Sequence, residues 1–361
     1  MEAKQALFTA RGKVSLEPVN VSEPDENQLL VETLYTAISP GTERAFLLAE
    51  PNTITNRRGF PFPPGYSNVG RVLAVGSAVT HFKPGDRVAT RVPHVSHYLV
   101  PETLGPGEVA PKYREQFRSP IMPDAPAVGL HYLWKLPSDL SEAKLKESAP
   151  FGIVSVGVTG ARYGRIDLGE SVLVIGLGPV GLYAAQCARL AGGFPVLGLD
   201  PVAARRELAL KLGIDATYAT PEELAKGHPL MAGNTPRVVI EATGRPDVVN
   251  LAFKLCGRNG RVVLLGSTRG TTPEVDFYTH VHRKGLTIVG AQVLTRPTLD
   301  NSDGRWNAWD EAALTLRFIA SGRLDTRPLI EHEFPATRVA DAYRLIEDSP
   351  QTLGVLLNWQ K

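Results

Sequence analysis

Cysteine is close to absent. Cys187 and Cys256 are the only two in 361 residues. Two cannot form a four-cysteine zinc site and are too few for a disulfide framework. Both lie in apolar, helix-like stretches, so buried thiols without chemistry are the expectation. Long apolar runs are missing too. Nothing approaches the ~18 residues of a membrane span, and Met1-Glu2-Ala3-Lys4-Gln5 lacks the apolar core of a secretory signal. These absences predict a cytoplasmic protein with no membrane partner. Nor does one sign of charge dominate: 39 Lys and Arg stand against 37 Asp and Glu. The basic residues are scattered, and Arg57-Arg58 is too short to serve as a polyanion surface, so no nucleic-acid partner is expected.

At 361 residues the chain exceeds what one core comfortably holds, which predicts two domains. The first ~100 residues read as short strands punctuated by Gly and Pro. Gln28 to Leu34 and Gly70 to Val75 are strand-like, and Pro63-Pro64-Gly65 and Lys83-Pro84-Gly85-Asp86 mark turns. Residues 101 to 137 change character, with seven prolines from Pro101 to Pro137 breaking any long element. Tyr113, Phe117, Met122, Tyr132 and Trp134 give this stretch apolar anchors, so it reads as an ordered surface excursion rather than a disordered linker.

From about 171 the rhythm becomes strand, turn, helix, strand. Ser171 to Ile175, Pro195 to Leu199, Arg237 to Glu241, Arg261 to Leu265 and Leu286 to Val289 read as strands. Leu182 to Leu190 and Arg205 to Leu212 read as helices between them. Such alternation predicts a doubly wound parallel sheet, an α/β fold. Glu311 to Ile319 and Ala340 to Ile346 then read as helices, and Gly354 to Leu357 as a last strand.

The strongest motif is Gly176-Leu177-Gly178-Pro179-Val180-Gly181, placed directly after an apolar strand and opening a helix. That context gives a GxGxxG its meaning. The glycines allow a tight turn, close approach of a pyrophosphate and close helix–strand packing, and the helix N-terminus offers N–H groups to phosphates. Asp200 ends the next strand, where a carboxylate can accept hydrogen bonds from the adenosine ribose hydroxyls and repel a 2′-phosphate. NAD is therefore the expected cofactor. Arg205 and Arg206 follow and temper that preference, and the plainer reading of Asp200 is a cap for the next helix. Ala242, Thr243 and Gly244, with Gly266 and Ser267, end later strands where ligands bind in such sheets, and Gln292 follows the last one. Ordinary strand–loop turns would look the same.

Several strings resemble the medium-chain dehydrogenases/reductases. They are Pro64-Gly65-Tyr66-Ser67-Asn68-Val69-Gly70, Phe82 to Val88, Gly169 to Gly176 and Ser321-Gly322-Arg323-Leu324. Ala37-Ile38-Ser39-Pro40-Gly41-Thr42-Glu43 looks most like the branch that includes bacteriochlorophyllide a dehydrogenase. The resemblance implies a β-rich GroES-like catalytic domain over 1–152 with 301–361 returning to it. It implies a Rossmann domain over 153–300 and an active site in the cleft. It also implies that the zinc-ligand positions fall at Pro40, Tyr66 and roughly Gly152, of which only the phenol is even a weak donor. A zinc-independent enzyme is expected.

Without a metal, side chains must polarise the substrate oxygen. Tyr66 is the first candidate donor, Thr42 matches a proton-relaying hydroxyl, and Glu43 would orient or balance charge. Tyr66 could equally pack in the cleft wall, and Thr42 and Glu43 could be turn residues. His94 and His97 are spaced loosely like metal ligands but lack a third, and one of them could line the cleft. His280 and His282 alternate as on one face of a strand and read as surface or interface residues. The expected activity is NAD-dependent interconversion of a secondary alcohol, possibly a polyol, sugar or other ring hydroxyl, with a ketone. The alternatives are a zinc-free NADPH quinone or enoyl reductase and a catalytically silent nucleotide-binding scaffold. The expected partners are a small-molecule substrate and further copies of the chain, as a homodimer or homotetramer paired through Leu286 to Val289.

Overall fold

A computed structural model describes residues 1–103, 133–229, 235–295 and 306–360. The excursion's anchors Tyr113, Phe117, Met122 and Tyr132 lie outside the described residues, as does the expected crossing at 300/301. The chain divides into two compact units, Met1–Gly152 with Leu294–Lys361, and Ile153–Val293.

The first unit opens with β1 (Glu2–Ala10) and β2 (Lys13–Asn20), an antiparallel pair. Then follow β3 (Gln28–Ile38), α1 (Pro40–Leu47), α2 (Ile54–Arg58), β4 (Asn68–Val75), β5 (Arg87–Thr90), β6 (His97–Pro101) and β7 (Leu133–Lys135). α3 (Glu142–Ser148) and α4 (Phe151–Tyr163) lead out of it.

The second unit holds β8 (Val172–Ile175), α5 (Pro179–Leu190), β9 (Val196–Leu199), α6 (Ala203–Lys211), β10 (Ala216–Tyr218) and α7 (Pro221–Ala225). β11 (Val238–Glu241), α8 (Pro246–Leu255), β12 (Arg261–Leu264) and β13 (Thr287–Gly290) complete it. The chain then returns to the first unit as α9 (Ala308–Ala320), β14 (His332–Pro335), α10 (Val339–Asp348) and β15 (Val355–Asn358).

That return is a matter of strand pairing. β15 pairs antiparallel with β3, placing Leu357 opposite Thr36, and β14 extends the sheet in parallel. The sheet order is β14-β15-β3-β4-β5-β7, with β6 also on β3. Trp359 fastens the end, its indole N–H donating to Thr36 Oγ1 at 3.1 Å. β3 is buried along nearly its whole length because neighbours pair on both sides and two cores cover it. One core gathers Phe8, Leu47, Tyr343, Ile346 and Leu357, and the other Leu29, Val31, Val72, Val88 and Tyr98.

In the second unit the six strands are all parallel, in the order β10-β9-β8-β11-β12-β13. Counted along this unit, that is 3-2-1-4-5-6, the doubly wound order whose direction reverses between β8 and β11. Every residue of β8, β9 and β11 is buried, which explains why they are apolar apart from Glu241 at the end of β11.

Two local readings change. Pro40 to Glu43, read only as part of a family string, open a helix that runs to Leu47. Pro40 suits its first turn, and the Ser39 amide is met by Glu43 Oε1 at 2.8 Å. His280 and His282 do not alternate on a strand. They belong to a short π-helical turn, Tyr278–His282, in which the His282 ring stacks on Tyr278 at 5.7 Å.

Candidate active site

Helix α1 sets the centre of the catalytic unit. Its first turn carries Thr42 and Glu43, and Glu43 is only 1% exposed. An ionised carboxylate so placed costs several kcal/mol unless its oxygens find donors. They do: Oε1 accepts from the Ser39 amide, and Oε2 accepts from His94 Nε2 at 3.0 Å and from the Tyr343 hydroxyl. His94 is wholly buried, and its backbone is pinned by a bond from its amide to Pro64 O at 2.8 Å and by one from the Ala6 amide to its carbonyl at 2.9 Å. Tyr343 comes from α10, which lays Val339, Ala342, Tyr343 and Ile346 against the core at helical spacing. Burial pushes the Tyr343 phenol well above its ordinary value, and the Glu43 charge adds to that.

Tyr66 stands beside this triad. Loss of hydration pushes its phenol up to about 12, with the Glu43 charge acting in the same direction. The neighbouring Ser39 and Thr42 side chains and, least of all, the positive charge of Arg91 act in the opposite direction. The structure therefore brings together Tyr66, Thr42 and Glu43, the three residues expected to carry chemistry. It separates His94 from His97, which sits on β6 with its Nδ1 3.1 Å from Ser96 Oγ.

The three positions aligned with zinc ligands do not fit the metal. Pro40 has no donor side chain, and the Tyr66 phenol, pushed up to about 12, is protonated and a weak donor at best. Gly152 has no side chain and no space for one, since a Cβ there would come within 2.5 Å of the Tyr66 carbonyl oxygen. Its amide is taken by Ser67 Oγ at 2.8 Å, and its carbonyl faces Arg91 Nη2 at 3.4 Å. Among the described residues no three His, Cys, Asp or Glu side chains group as metal ligands.

The nucleotide unit builds its candidate site from backbone. Gly176, after β8, has φ +88, a conformation L side chains rarely adopt, and a Cβ there would meet Thr243 Cγ2 at 2.5 Å. A Cβ on Gly181 would run into the Gly176 carbonyl oxygen. Around Gly178 there is only open space, so a Cβ there would crowd no protein atom and would fill the place a phosphate needs. Gly178 also caps α5 without a side-chain bond, and Pro179 and Val180 form the first turn. First-turn amides have no partner within a helix, so this cradle fits a dinucleotide pyrophosphate.

Asp200 stands against the glycine loop, its Oδ2 accepting from the Leu177 amide at 2.7 Å and its Oδ1 from the Val202 amide at 2.8 Å. It thus joins the loop to the start of α6, combining the loop position with the capping role. Arg205 Nη1 lies 3.7 Å from Oδ2.

Across the point where strand order reverses, Glu241 Oε1 accepts from the amides of Thr243 (2.6 Å) and Gly244 (3.2 Å). This turns the Ala242-Thr243-Gly244 segment beside Gly176. Gly266 bonds back to the Glu241 carbonyl at 2.8 Å, carrying exposed Ser267 to the same end of the sheet. Gln292 is exposed just beyond β13.

Arg91 and Tyr343 went unnoticed in the sequence. Arg91 left a signal, as a lone charge inside the apolar run Val88-Ala89-Thr90-Arg91-Val92. Tyr343 left none, because its spacing is that of a core residue.

Comparison with known proteins agrees with this architecture. The alcohol dehydrogenase GroES-like domain family matches residues 25–108, and the zinc-binding dehydrogenase family matches residues 179–309. Sorbitol dehydrogenase of Ovis aries is 27% identical over 369 residues, spanning 95% of this chain and 92% of its own. Two solved structures share the fold. A short chain alcohol dehydrogenase of E. coli, complexed with NADH, superposes with a TM-score of 0.73 at 21% identity over 99% of both chains. A dehydrogenase of the zinc-binding type from Sinorhizobium meliloti, bound to NADP, gives 0.74 at 21% identity, also over 99% of both chains.

Proposed function

We propose that this chain, which belongs to the alcohol dehydrogenase-like superfamily of medium-chain dehydrogenases, interconverts a secondary alcohol and a ketone with NAD and without zinc. A polyol or a related sugar or ring alcohol is the substrate class, as the sorbitol dehydrogenase relatives suggest. The observation that carries the reading is Tyr66: a phenol stands at a position aligned with a zinc ligand, where loss of hydration and the charge of buried Glu43 keep it protonated.

When bound, the nicotinamide supplies the hydride acceptor or donor. Residues Gly176 to Gly181 would hold its pyrophosphate, and Asp200 its adenosine ribose. With a pKa of about 12, Tyr66 is protonated at neutral pH and can donate to a ketone oxygen as the alcohol forms. In the reverse direction its phenolate would take the hydroxyl proton, which needs a neighbouring positive charge to bring the ionised form within reach. Thr42, beside it, would offer the proton an onward path.

NAD is favoured over NADP because Asp200 presents a carboxylate where a 2′-phosphate would sit, although Arg205 lies close by. We also propose a homo-oligomer formed through β13. This strand ends the sheet, and Ile288 on it and Phe277 and Tyr278 before it are exposed. A mass near the 39.0 kDa of one chain by light scattering at micromolar concentration would refute that.

The test is turnover of a polyol and ketone panel with NAD and NADP, read at the reduced-nicotinamide absorbance band, together with metal analysis. Turnover with NAD in protein free of zinc is the expected result. Tight NAD binding with no turnover across the panel would retire the enzyme reading. One zinc per chain with chelator-sensitive activity would retire the zinc-free part.

A further inference from the structure

His94 is wholly buried, too deep for a substrate to touch. Its Nε2 meets Glu43 Oε2 at 3.0 Å, while its Nδ1 is buried without a hydrogen-bond partner. A buried polar atom left unpaired costs stability, so an apolar ring would serve packing alone better. What the imidazole adds is its bond to Glu43. Its remaining contacts are with the loop that leads to Tyr66. The His94 amide donates to the Pro64 carbonyl oxygen at 2.8 Å. Gly65, next to Tyr66, has φ +102, and a Cβ on it would come within 2.6 Å of the His94 backbone nitrogen and 2.8 Å of ring Cδ2. One residue thus touches both parts of the candidate site: α1, whose Glu43 follows Thr42, and Pro64-Gly65, which precede Tyr66.

We propose that His94 is a positioning residue for Tyr66: it clamps the Pro64-Gly65-Tyr66 segment to helix α1 through Glu43, and so sets the Tyr66 backbone against the turn that carries Thr42. The proposal rests on the reading of Tyr66 as the acid–base group. His94 itself makes and breaks no bond in the reaction. Tyr343 donates to the same Glu43 oxygen, and its ring meets the His94 ring edge-on at 6.5 Å, so α10 adds a second hold on the carboxylate. An acid–base group must stand within hydrogen-bond reach of the proton it moves. A displacement of about 1 Å can cost about 100-fold in rate, so a clamp with no chemistry of its own bears on turnover.

His94→Phe keeps a ring against Gly65 and removes the donor to Glu43. His94→Gln restores an N–H near the place of Nε2. At a temperature where wild type and both variants are folded by circular dichroism, His94→Phe should lower kcat by about 10- to 100-fold with KM changed far less, and His94→Gln should recover most of the loss. NAD affinity should hold, because the cradle is built in the other unit. The surroundings of Tyr66 can be read without substrate by 19F NMR of protein labelled with 3-fluorotyrosine, its resonance identified by its loss in Tyr66→Phe. That resonance should move in His94→Phe and return towards its wild-type place in His94→Gln.

Folded His94→Phe with wild-type kcat and an unmoved Tyr66 resonance overturns the proposal, whatever its stability. So does an equal loss of kcat in His94→Phe and His94→Gln, which would place the role in the packing of the ring and not in its bond to Glu43. Should His94→Phe fail to fold, Glu43→Gln breaks the same bond from its other end and carries the comparison. A wild-type protein that turns over nothing while the resonance still moves retires the dehydrogenase reading and leaves the clamp standing.

Discussion

The two units hold their candidate sites in different ways. In the nucleotide unit the site is mostly backbone within one stretch of about 25 residues, from the end of β8 to Asp200, and what matters is where side chains are missing. In the catalytic unit it is a cluster of side chains drawn from Ser39 to Glu43, Tyr66, Arg91, His94 and Tyr343, the last 300 positions from Glu43 along the chain. A backbone site is broken by adding atoms and a side-chain cluster by removing them, so each invites a different substitution.

The largest effect belongs to the cluster. Tyr66→Phe deletes one oxygen and should lower kcat by roughly 10- to 1000-fold, the range for losing one acid or oxygen-stabilising donor. NAD affinity by calorimetry should hardly change, because the cradle is built in the other unit. If Tyr66→Phe turns over normally while Thr42→Val is dead, the role passes to Thr42.

Next comes a pair of glycines. Gly178→Ala meets no protein atom, so its stability should stay within about 0.5 kcal/mol of wild type, the range of a substitution that disturbs no contact. NAD affinity should nonetheless fall about tenfold or more. Gly181→Ala forces a Cβ onto the Gly176 carbonyl and should lose about 1–3 kcal/mol as well, read by urea denaturation. Unimpaired NAD binding by Gly178→Ala would show that the open space is not the phosphate site.

A smaller change is expected of Asp200→Ala. It should narrow the preference for NAD over NADP several-fold. It should also weaken both cofactors somewhat, since the Leu177 and Val202 amides lose their acceptor. Tighter NADP than NAD binding to the unaltered protein would defeat the assignment.

The smallest effect is in alkaline stability. Burial raises the phenols of Tyr66, Tyr98 and Tyr343 in the catalytic unit, and that of Tyr218 in the nucleotide unit. Unfolded tyrosine ionises near ~10. The stability these neutral phenols contribute is full below that pH and is lost as pH rises through it towards the folded values, about 12 for Tyr66. Denaturation midpoints at about pH 8 and about pH 11 should differ less in Tyr98→Phe than in wild type, and Tyr218→Phe should show the weaker benefit. Equal pH dependence in all three proteins would count against burial as the cause.

Legibility in the sequence followed the same divide. The Rossmann strands could be located because parallel strands buried on both faces are written as unbroken apolar runs, and the glycine loop because its spacing is fixed by local turn geometry. Thr42, Glu43 and Tyr66 are candidates because of strings shared with a family. His94 was weighed as half of a metal-like pair, and only its partner Glu43, arriving from α1, shows what it does. Arg91 passed unremarked because a lone charge in a strand-like run says nothing of what faces it.

The sequence by itself determined the α/β class, the parallel sheet and the glycine loop of the cofactor cradle, since each depends on residues near one another in the chain. Tertiary structure decided that β15 returns to pair with β3, that Tyr343 reaches Glu43, that Gly152 leaves no room for a side chain, and that Arg91 is buried against the Gly152 carbonyl. Pairing and packing across hundreds of residues answer to the burial of whole faces rather than to any local spacing, so the charges that meet inside become visible only once the chain has folded.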